Sequence, residues 1–466
     1  MRLQNLKRSL LVLAVLFATP MLLNAQEAPV GDQPAVSAKD IIKTYLQYYD
    51  SIQYFNYYDQ RGINTFETPK VQGTNFYGFR LRIGAGFTQQ FQNLKHENKT
   101  AVNNTTTNRL YPLQSGFMTA QANLFTDVQL ADGIRLNLTT YLSSRHHNEA
   151  WVKGGYIQFD KLPFKGQFWD KLMSMATIKV GHMEINYGDA HFRRPDGGQT
   201  ILAPFMEGNI MDAFATEIGG EVYLRKGAFF GMVGVTNGMI KGNVDSTYET
   251  VADKDTKRAP SFYFKGGVDQ SFAPRIRVRA SASLYTNSSN AGSGLTLYGG
   301  DRTGSNYQNV MEKAPAGAAL PASTAIAFSG RMNPGFSKQI TATMLNGFVK
   351  FQGFEVFGTL EKAVGRTKNE TKSRNANQFA IEGLYRVGKG EKVYVGARYN
   401  TVNARLAGFA EDISVQRTSF VAGWFVTRNI MMKAEYVTQK YNDYPTTDYR
   451  SGGQFKGYVV EAIVGF

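Results

Sequence analysis

The chain reads as an all-β protein, a transmembrane antiparallel up-and-down β-barrel of about sixteen strands behind a short N-terminal segment. Three observations predict this class. Apolar and polar residues alternate with a period of two in run after run from residue 77 to residue 466, as they do in strands with two different faces. The links between runs alternate short and long, the asymmetry of barrels that cross a membrane with tight turns on one side and long loops on the other. The composition has 47 Gly, 25 Tyr and 32 Phe against 14 Pro and no Cys in 466 residues, at a mean hydropathy of -0.31. That profile suits a wall of which only alternate residues face lipid.

The chain opens with Arg2, Lys7 and Arg8, the apolar run LLVLAVLFATPMLL, and then Asn24, Ala25 and Gln26. This is the order of a secretory signal peptide, residues 1–25, cleaved after Ala25; the apolar run is shorter than the ~20 residues of a membrane-spanning helix. The mature protein is therefore expected to be exported. Without cysteine it has no disulfide framework, no thiol chemistry and no cysteine-held metal. Lys and Arg number 52 against 37 Asp and Glu, a net charge of +15 that falls to about +12 once the leader is removed. In an exported chain such an excess points to anionic lipid or anionic solutes, and nucleic acid is not expected as a partner.

Residues 26–72 do not alternate and are expected to form an N-terminal periplasmic segment, resting in the periplasm or against the barrel mouth. Within it, SAKD at 37–40 has the order of a capping box ahead of IIKTYLQYYDSIQYF, a candidate short helix; an irregular lead-in is the alternative.

The barrel is expected over residues 73–466. Its first run, YGFRLRIGAGFT, sets Tyr77, Phe79, Leu81, Ile83 and Ala85 against Arg80 and Arg82. The second, at 117–129, sets Met118, Ala120, Ala122 and Leu124 against Gln121, Asn123 and Asp127, and a tight ADG turn at 131–133 joins it to IRLNLTTYL as a hairpin. Further runs follow at 151–160, 176–187, 214–225, 228–237, 260–269, 275–286, 339–351, 354–365, 376–387, 391–402, 415–426, 429–440 and 455–466. The last run carries Tyr458, Val460, Ala462, Val464 and Phe466 on one face with Glu461 on the other. A terminal aromatic with apolar residues at alternate positions resembles the assembly signal that the barrel-insertion machinery recognises, with Tyr458 and Phe466 as its aromatic positions.

Charged residues opposite the apolar faces are candidates for the lumen. The sequence RIRVRAS places Arg275, Arg277 and Arg279 two apart, so one face carries all three guanidiniums. Arg80 and Arg82 repeat the device, and Arg135, Lys179 and Arg398 join them as basic candidates for lining a pore. Further lumen cations are expected at Arg225, Lys350, Arg386, Lys392 and Lys433, and lumen acids at Glu217, Glu221, Glu355, Glu382 and Glu461. Guanidinium stays charged and binds oxyanions in a fork, so such rows either draw anions or pair with the lumen acids and stiffen the wall.

The loop at 187–213 mixes Asp189, His191, Arg193, Arg194 and Asp196 with the apolar run Ile201 to Met206. Left in solvent it would expose that run, so it is expected to fold into the barrel as a constriction; packing against other loops or another subunit is the alternative. The 287–338 loop, rich in Gly, Ala, Ser and Asn, is expected outside as a flexible cap. Of the five histidines, His96, His146, His147, His182 and His191, none has the neighbours of a metal site. No metal, cofactor or catalytic residue is expected, and an oriented Ser and His of a hydrolase is not discernible.

The stretch GHMEINYGDAHFRRPDGG, with the sixteen runs and the terminal Phe, resembles the phosphate-selective porin O and P family of the Bacteroidota type over roughly residues 70–466. The resemblance implies a sixteen-stranded channel in the outer membrane of a Gram-negative bacterium, commonly a homotrimer, with its third loop narrowing the pore and basic residues guiding anions. The expected function is a passive water-filled porin for small anionic or neutral hydrophilic solutes, with phosphate as one candidate. A plugged binding or adhesion barrel working through its long loops is the alternative.

Overall fold

The computed structural model of the chain describes residues 52–68, 70, 75–99, 109–143, 150–238, 248–249, 251, 254, 256–290, 296–299, 306–314 and 329–466. The signal peptide, residues 41–51 of the candidate helix and the pair His146 and His147 lie outside the described residues; the last four residues of that candidate, 52–55, are not helical.

Sixteen long strands, counted among the described residues, form one sheet. The wall begins with β1 (Arg80–Glu97), β2 (Gln121–Ala131), β3 (Ile134–Ser143) and β4 (Ala150–Phe159). Just before β2, the two-residue stretch Gly116–Phe117 also pairs with β1 across a one-residue shift of register. The wall continues with β5 (Ala176–Glu184), β6 (Thr216–Lys226), β7 (Phe229–Thr236), β8 (Ser261–Ala273) and β9 (Ile276–Asn287). It finishes with β10 (Gln339–Phe351), β11 (Phe354–Arg366), β12 (Arg374–Val387), β13 (Val393–Ala404), β14 (Ile413–Thr427), β15 (Ile430–Asn442) and β16 (Gln454–Gly465). Each strand pairs antiparallel with its neighbours in sequence, and β16 returns to pair with β1 from Gly86 opposite Gly465 to Glu97 opposite Gln454. The sheet thus closes and leaves no edge. The sixteen alternating runs of the sequence are these sixteen strands.

Alternation decides which way each side chain points. Along β12 every second residue, from Arg374 through Gln378 and Glu382 to Arg386, is buried inside, while Phe379, Ile381, Tyr385 and Val387 are exposed outside. On β10 the exposed set includes Leu345, Val349 and Phe351. The exterior is therefore an apolar belt. At the short-turn end it carries exposed Phe229, Phe272, Phe351, Phe354, Tyr385 and Trp424, the aromatic rim of a barrel at a membrane boundary.

The interior is not an empty tube. Inward residues of β7 to β16 and Leu94 of β1 pack with the loop after β5 and with Leu297, Tyr298, Tyr307, Val310, Met332 and Phe336 into one continuous apolar cluster, in which Met206, Ile210, Tyr307, Val310 and Phe336 are fully buried. A second cluster seats Ile201 and Phe205 of that loop against Leu384, Tyr394, Val421, Phe425, Met431 and Ile463. The expectation of a flexible external cap does not hold for the described part of the 287–338 loop: Tyr307, Val310 and Phe336 fill the lumen because they are apolar and inside a wall they have somewhere dry to go. Residues 52–68 take the second of the two places expected for the segment, at the barrel mouth. They lie within the short-turn end of the barrel and contain a single 3-10 turn, Gln60–Gly62, capped by Asp59.

Candidate functional site: the residual lumen

A loop buried in a barrel has to satisfy its backbone groups away from water, and here the wall supplies the partners from its inward polar residues. Lys433 Nζ donates to the carbonyl of Ala203 at 3.1 Å, Tyr394 to that of Pro204 at 2.9 Å, and Arg398 to that of Glu207 at 2.7 Å. In return Glu435, Asn400 and Gln378 accept from the N–H groups of Met206, Ile210 and Met211. Arg417 completes the series by donating to the carbonyl of Gly208 at 2.9 Å. Arg398, expected to line a pore, is thus buried beneath the loop with its guanidinium 4.4 Å from the Phe205 ring centre. Its role in the fold is to clamp the loop.

The motif PDGG at 195–198 brings the same loop onto the opposite wall. Gly198 passes so close to Gly86 of β1 and Ala122 of β2 that a Cβ there would collide with both backbones. Thr88 donates to the Gly198 carbonyl at 2.9 Å and Asn123 to that of Asp196 at 2.8 Å. Held on both sides, the loop crosses the lumen.

The arginine ladder is neutralised. Arg279 is fully buried and reaches Asp189 of the loop at 2.8 Å, Glu67 of the N-terminal segment at 2.8 Å and Asp269 of β8 at 3.0 Å. Lys265 joins the cluster at 2.6 Å from Asp189 and 2.9 Å from Glu67. Arg277 pairs with Asp269 at 2.6 Å and donates to the Asn64 carbonyl. Arg275 sits at the rim beside Glu391 and the Gly388 carbonyl. Wall, loop and segment meet in this one cluster. Burial alone would raise the Asp189 carboxyl, but Lys265 and Arg279 outweigh it and hold Asp189 well below the ordinary carboxylate value. The same balance, burial against Lys265 and Arg279 with Asp189 opposing, brings Glu67 down to about 2.

The other candidates fall into place around it. Arg193 pairs with Glu382 at 2.8 Å and hydrogen bonds Asn64, and Asn64 in turn donates to Glu355, itself held by Arg386 and Lys350. Arg194 grips Asp212 at 2.8 Å. Asp196 pairs with Lys153, and His191 hydrogen bonds Asn186 at 2.8 Å with Glu184 at 3.6 Å. Arg135 is buried beside Asp127 at 3.7 Å, Arg82 lies over Phe55 at 4.3 Å, and Arg80 lies near Tyr77 at 5.7 Å. Lys392, expected inside, is exposed beyond the end of β12, where the strand alternation has stopped. Tyr458 and Phe466 lie on the lipid side, and Phe466 exchanges both backbone hydrogen bonds with Ala85 at 3.0 Å.

What stays open is a cavity of about 290 Å³ between the loop, the N-terminal segment and strands β2 to β6. Arg135, Lys153, Lys179 and Arg194 line it against Glu67, Glu184 and Asp196. Lys179 differs from the other cations. Its Nζ lies between two rings, 5.1 Å from the centre of Tyr156 and 4.9 Å from that of Tyr223, and among the described residues no carboxylate stands at ion-pair distance from it. The alternation suggested Lys179 as inward; that it meets two rings and, among the described residues, no carboxylate could not be read from it. Glu67, Lys265 and Asp269 escaped notice altogether, although Lys265 and Asp269 share the inward parity of Tyr263 on β8 and gave that much signal.

Among the described residues no group of three or more His, Cys, Asp or Glu side chains is placed to hold a metal ion.

No protein-family model matches the chain, and no characterised protein matches it in sequence. Among solved structures it is similar to an anion-selective porin from Comamonas acidovorans (10% identity, 84% of this chain and 99% of that one, TM-score 0.48). It is similar as well to a loop-deletion variant of OmpT, an outer membrane protein of Vibrio cholerae (12%, 84% and 100%, TM-score 0.46). A third similar structure is the outer membrane channel DcaP of Acinetobacter baumannii (11%, 85% and 100%, TM-score 0.45). At these values the likeness is one of barrel architecture, and nothing finer is drawn from it.

Proposed function

We propose that the chain forms an outer-membrane channel of a Gram-negative bacterium that passes small hydrophilic solutes passively through the strip of lumen beside β2 to β6, with a preference for anions. The observation that carries this reading is the residual cavity inside a wall with an apolar exterior, lined by charged side chains and by a cation, Lys179, that has no counter-carboxylate among the described residues. An ammonium in that position attracts an anionic solute. Arg279, Arg398 and Arg417 do not, because carboxylates and carbonyls already occupy them. The dry packing beside β9 to β16 favours a narrow, selective conduit over wide general diffusion. Phosphate, homotrimeric assembly, recognition of the Tyr458 and Phe466 strand by the insertion machinery, and the absence of catalysis belong to the same proposal.

Single-channel recording of the refolded protein in a planar bilayer under a KCl gradient tests it, with phosphate and then a neutral sugar added as blockers. Open steps with a reversal potential on the chloride side are expected. Silence from a folded barrel overturns the reading in favour of a plugged binding barrel. That second reading has its own support, since residues 52–68 lie across the short-turn mouth: Gln53 bonds Gln129 near one turn, and Gln60 reaches the carbonyls of Gly390 and Glu391 at another.

A further inference from the structure

The link between β4 and β5 is the longest at the short-turn end and the one with a helix, α1 (Gln167–Met173). Its sequence from 161 is KLPFKGQFWDKLM. The apolar residues do not turn inward as those of the lumen loop do. Phe164 is 55% exposed and Phe168 69%, and both contact the half-buried Trp169 with ring centroids 5.1 Å apart, Phe164 tilted and Phe168 edge-on. Only Met173 of α1 is buried. Lys161, Lys165 and Lys171 flank the rings in sequence, with Asp160 and Asp170 as the acids of the link; Asp160 is buried beside Lys70 at 3.0 Å, and Lys161 pairs with Asp132 of the neighbouring turn at 2.6 Å.

Three clustered aromatic rings left on the surface are costly in water. Their place on the molecule names what covers them. The link leaves β4 at Phe159 and enters β5 at Ala176, directly below the lipid-facing Ile157, Val180 and Leu224, so the patch continues the apolar belt at its lower rim. Aromatic rings beside lysines on a short amphipathic segment match a headgroup boundary, where rings enter the glycerol region and ammoniums meet phosphate. We propose that residues 161–173 are an interfacial anchor that inserts Phe164, Phe168 and Trp169 into the phospholipid leaflet on the short-turn side, with Lys165 and Lys171 on lipid phosphates. The proposal rests on the membrane-spanning reading above.

Three tryptophans make the test direct. One variant keeps Trp169 alone (W151F/W424F), and a companion keeps Trp424 alone (W151F/W169F), which reports the belt itself. Each is reconstituted in phosphatidylcholine and phosphatidylglycerol vesicles carrying brominated acyl chains, with aqueous iodide as the opposing quencher. Trp169 is expected to lose most of its emission to bromines placed near the headgroup, less to deeper ones, and little to iodide; F164S/F168S in that background shifts its emission to the red and restores iodide access. Strong iodide quenching with no bromine effect overturns the anchor, as does protection from both quenchers, which marks a protein or a second copy as the cover. If Trp424 also escapes bromine, the membrane-spanning reading fails and the anchor with it.

Discussion

Lys179 and Arg279 are both inward cations, and what surrounds each sets its role. Three carboxylates surround Arg279, so its charge is spent within the fold. Replacing it as Arg279→Gln leaves Asp189, Glu67 and Asp269 short of a partner, and breaking a buried pair in this way costs about 3–5 kcal/mol. Urea unfolding of the refolded barrel is expected to show that loss, with the reversal potential of surviving channels nearly unchanged. Lys179→Gln is expected to do the reverse, moving the reversal potential toward zero at little cost in stability. Glu67 adds a pH dependence. Docked, it stays ionised down to about 2, whereas a free glutamate protonates near ~4.3. Released segment therefore binds more protons than docked segment at acid pH, so the stabilisation is complete above roughly 4.5 and drains as pH falls from there toward 2. A spin label on Thr68→Cys, in a chain with no other cysteine, is expected to be immobile at pH 7 and to gain mobility below about pH 3.

At the scale of elements, the wall was legible and the filling was not. A period of two is written locally, residue by residue, so every strand from β1 to β16 could be placed from the sequence. The apolar run at 201–206 also announced that it needed a dry site, and it has one. Residues 52–68 gave no such signal. Their hold on the barrel comes from single long-range contacts, Tyr58 to Asp127, Asn64 to Glu355 and Glu67 to Lys265, and no local pattern encodes a partner that far away. The purpose of the arginine ladder was left open for the same reason: parity bears on where a guanidinium points, and only the assembled lumen shows what it meets. Deleting residues 52–68 is expected to raise single-channel conductance several-fold by clearing the short-turn mouth. An unchanged conductance places the narrowest point at the 187–213 loop instead.

The whole molecule depends on the contrast between its two faces. A charge set on the lipid side meets hydrocarbon, and Leu345→Arg, at the centre of β10 and half exposed to the belt, is expected to lower stability in bilayers by about 2–4 kcal/mol. The same protein in a zwitterionic micelle is expected to lose much less, and comparing the two by denaturant titration checks the assignment of the face. The pairing of β1 with β16 has a different consequence, one of timing. Gly86 meets Gly465 across 379 positions of chain, and closing a loop of that length costs about 5 kcal/mol of chain entropy. That contact is the last that diffusion alone would find. Whatever belongs inside, including residues 52–68 just ahead of β1, has to be gathered before the seam zips or be threaded in afterwards through a finished rim. The seam therefore sets an order of events, and a chain that closes early is trapped with its leader outside.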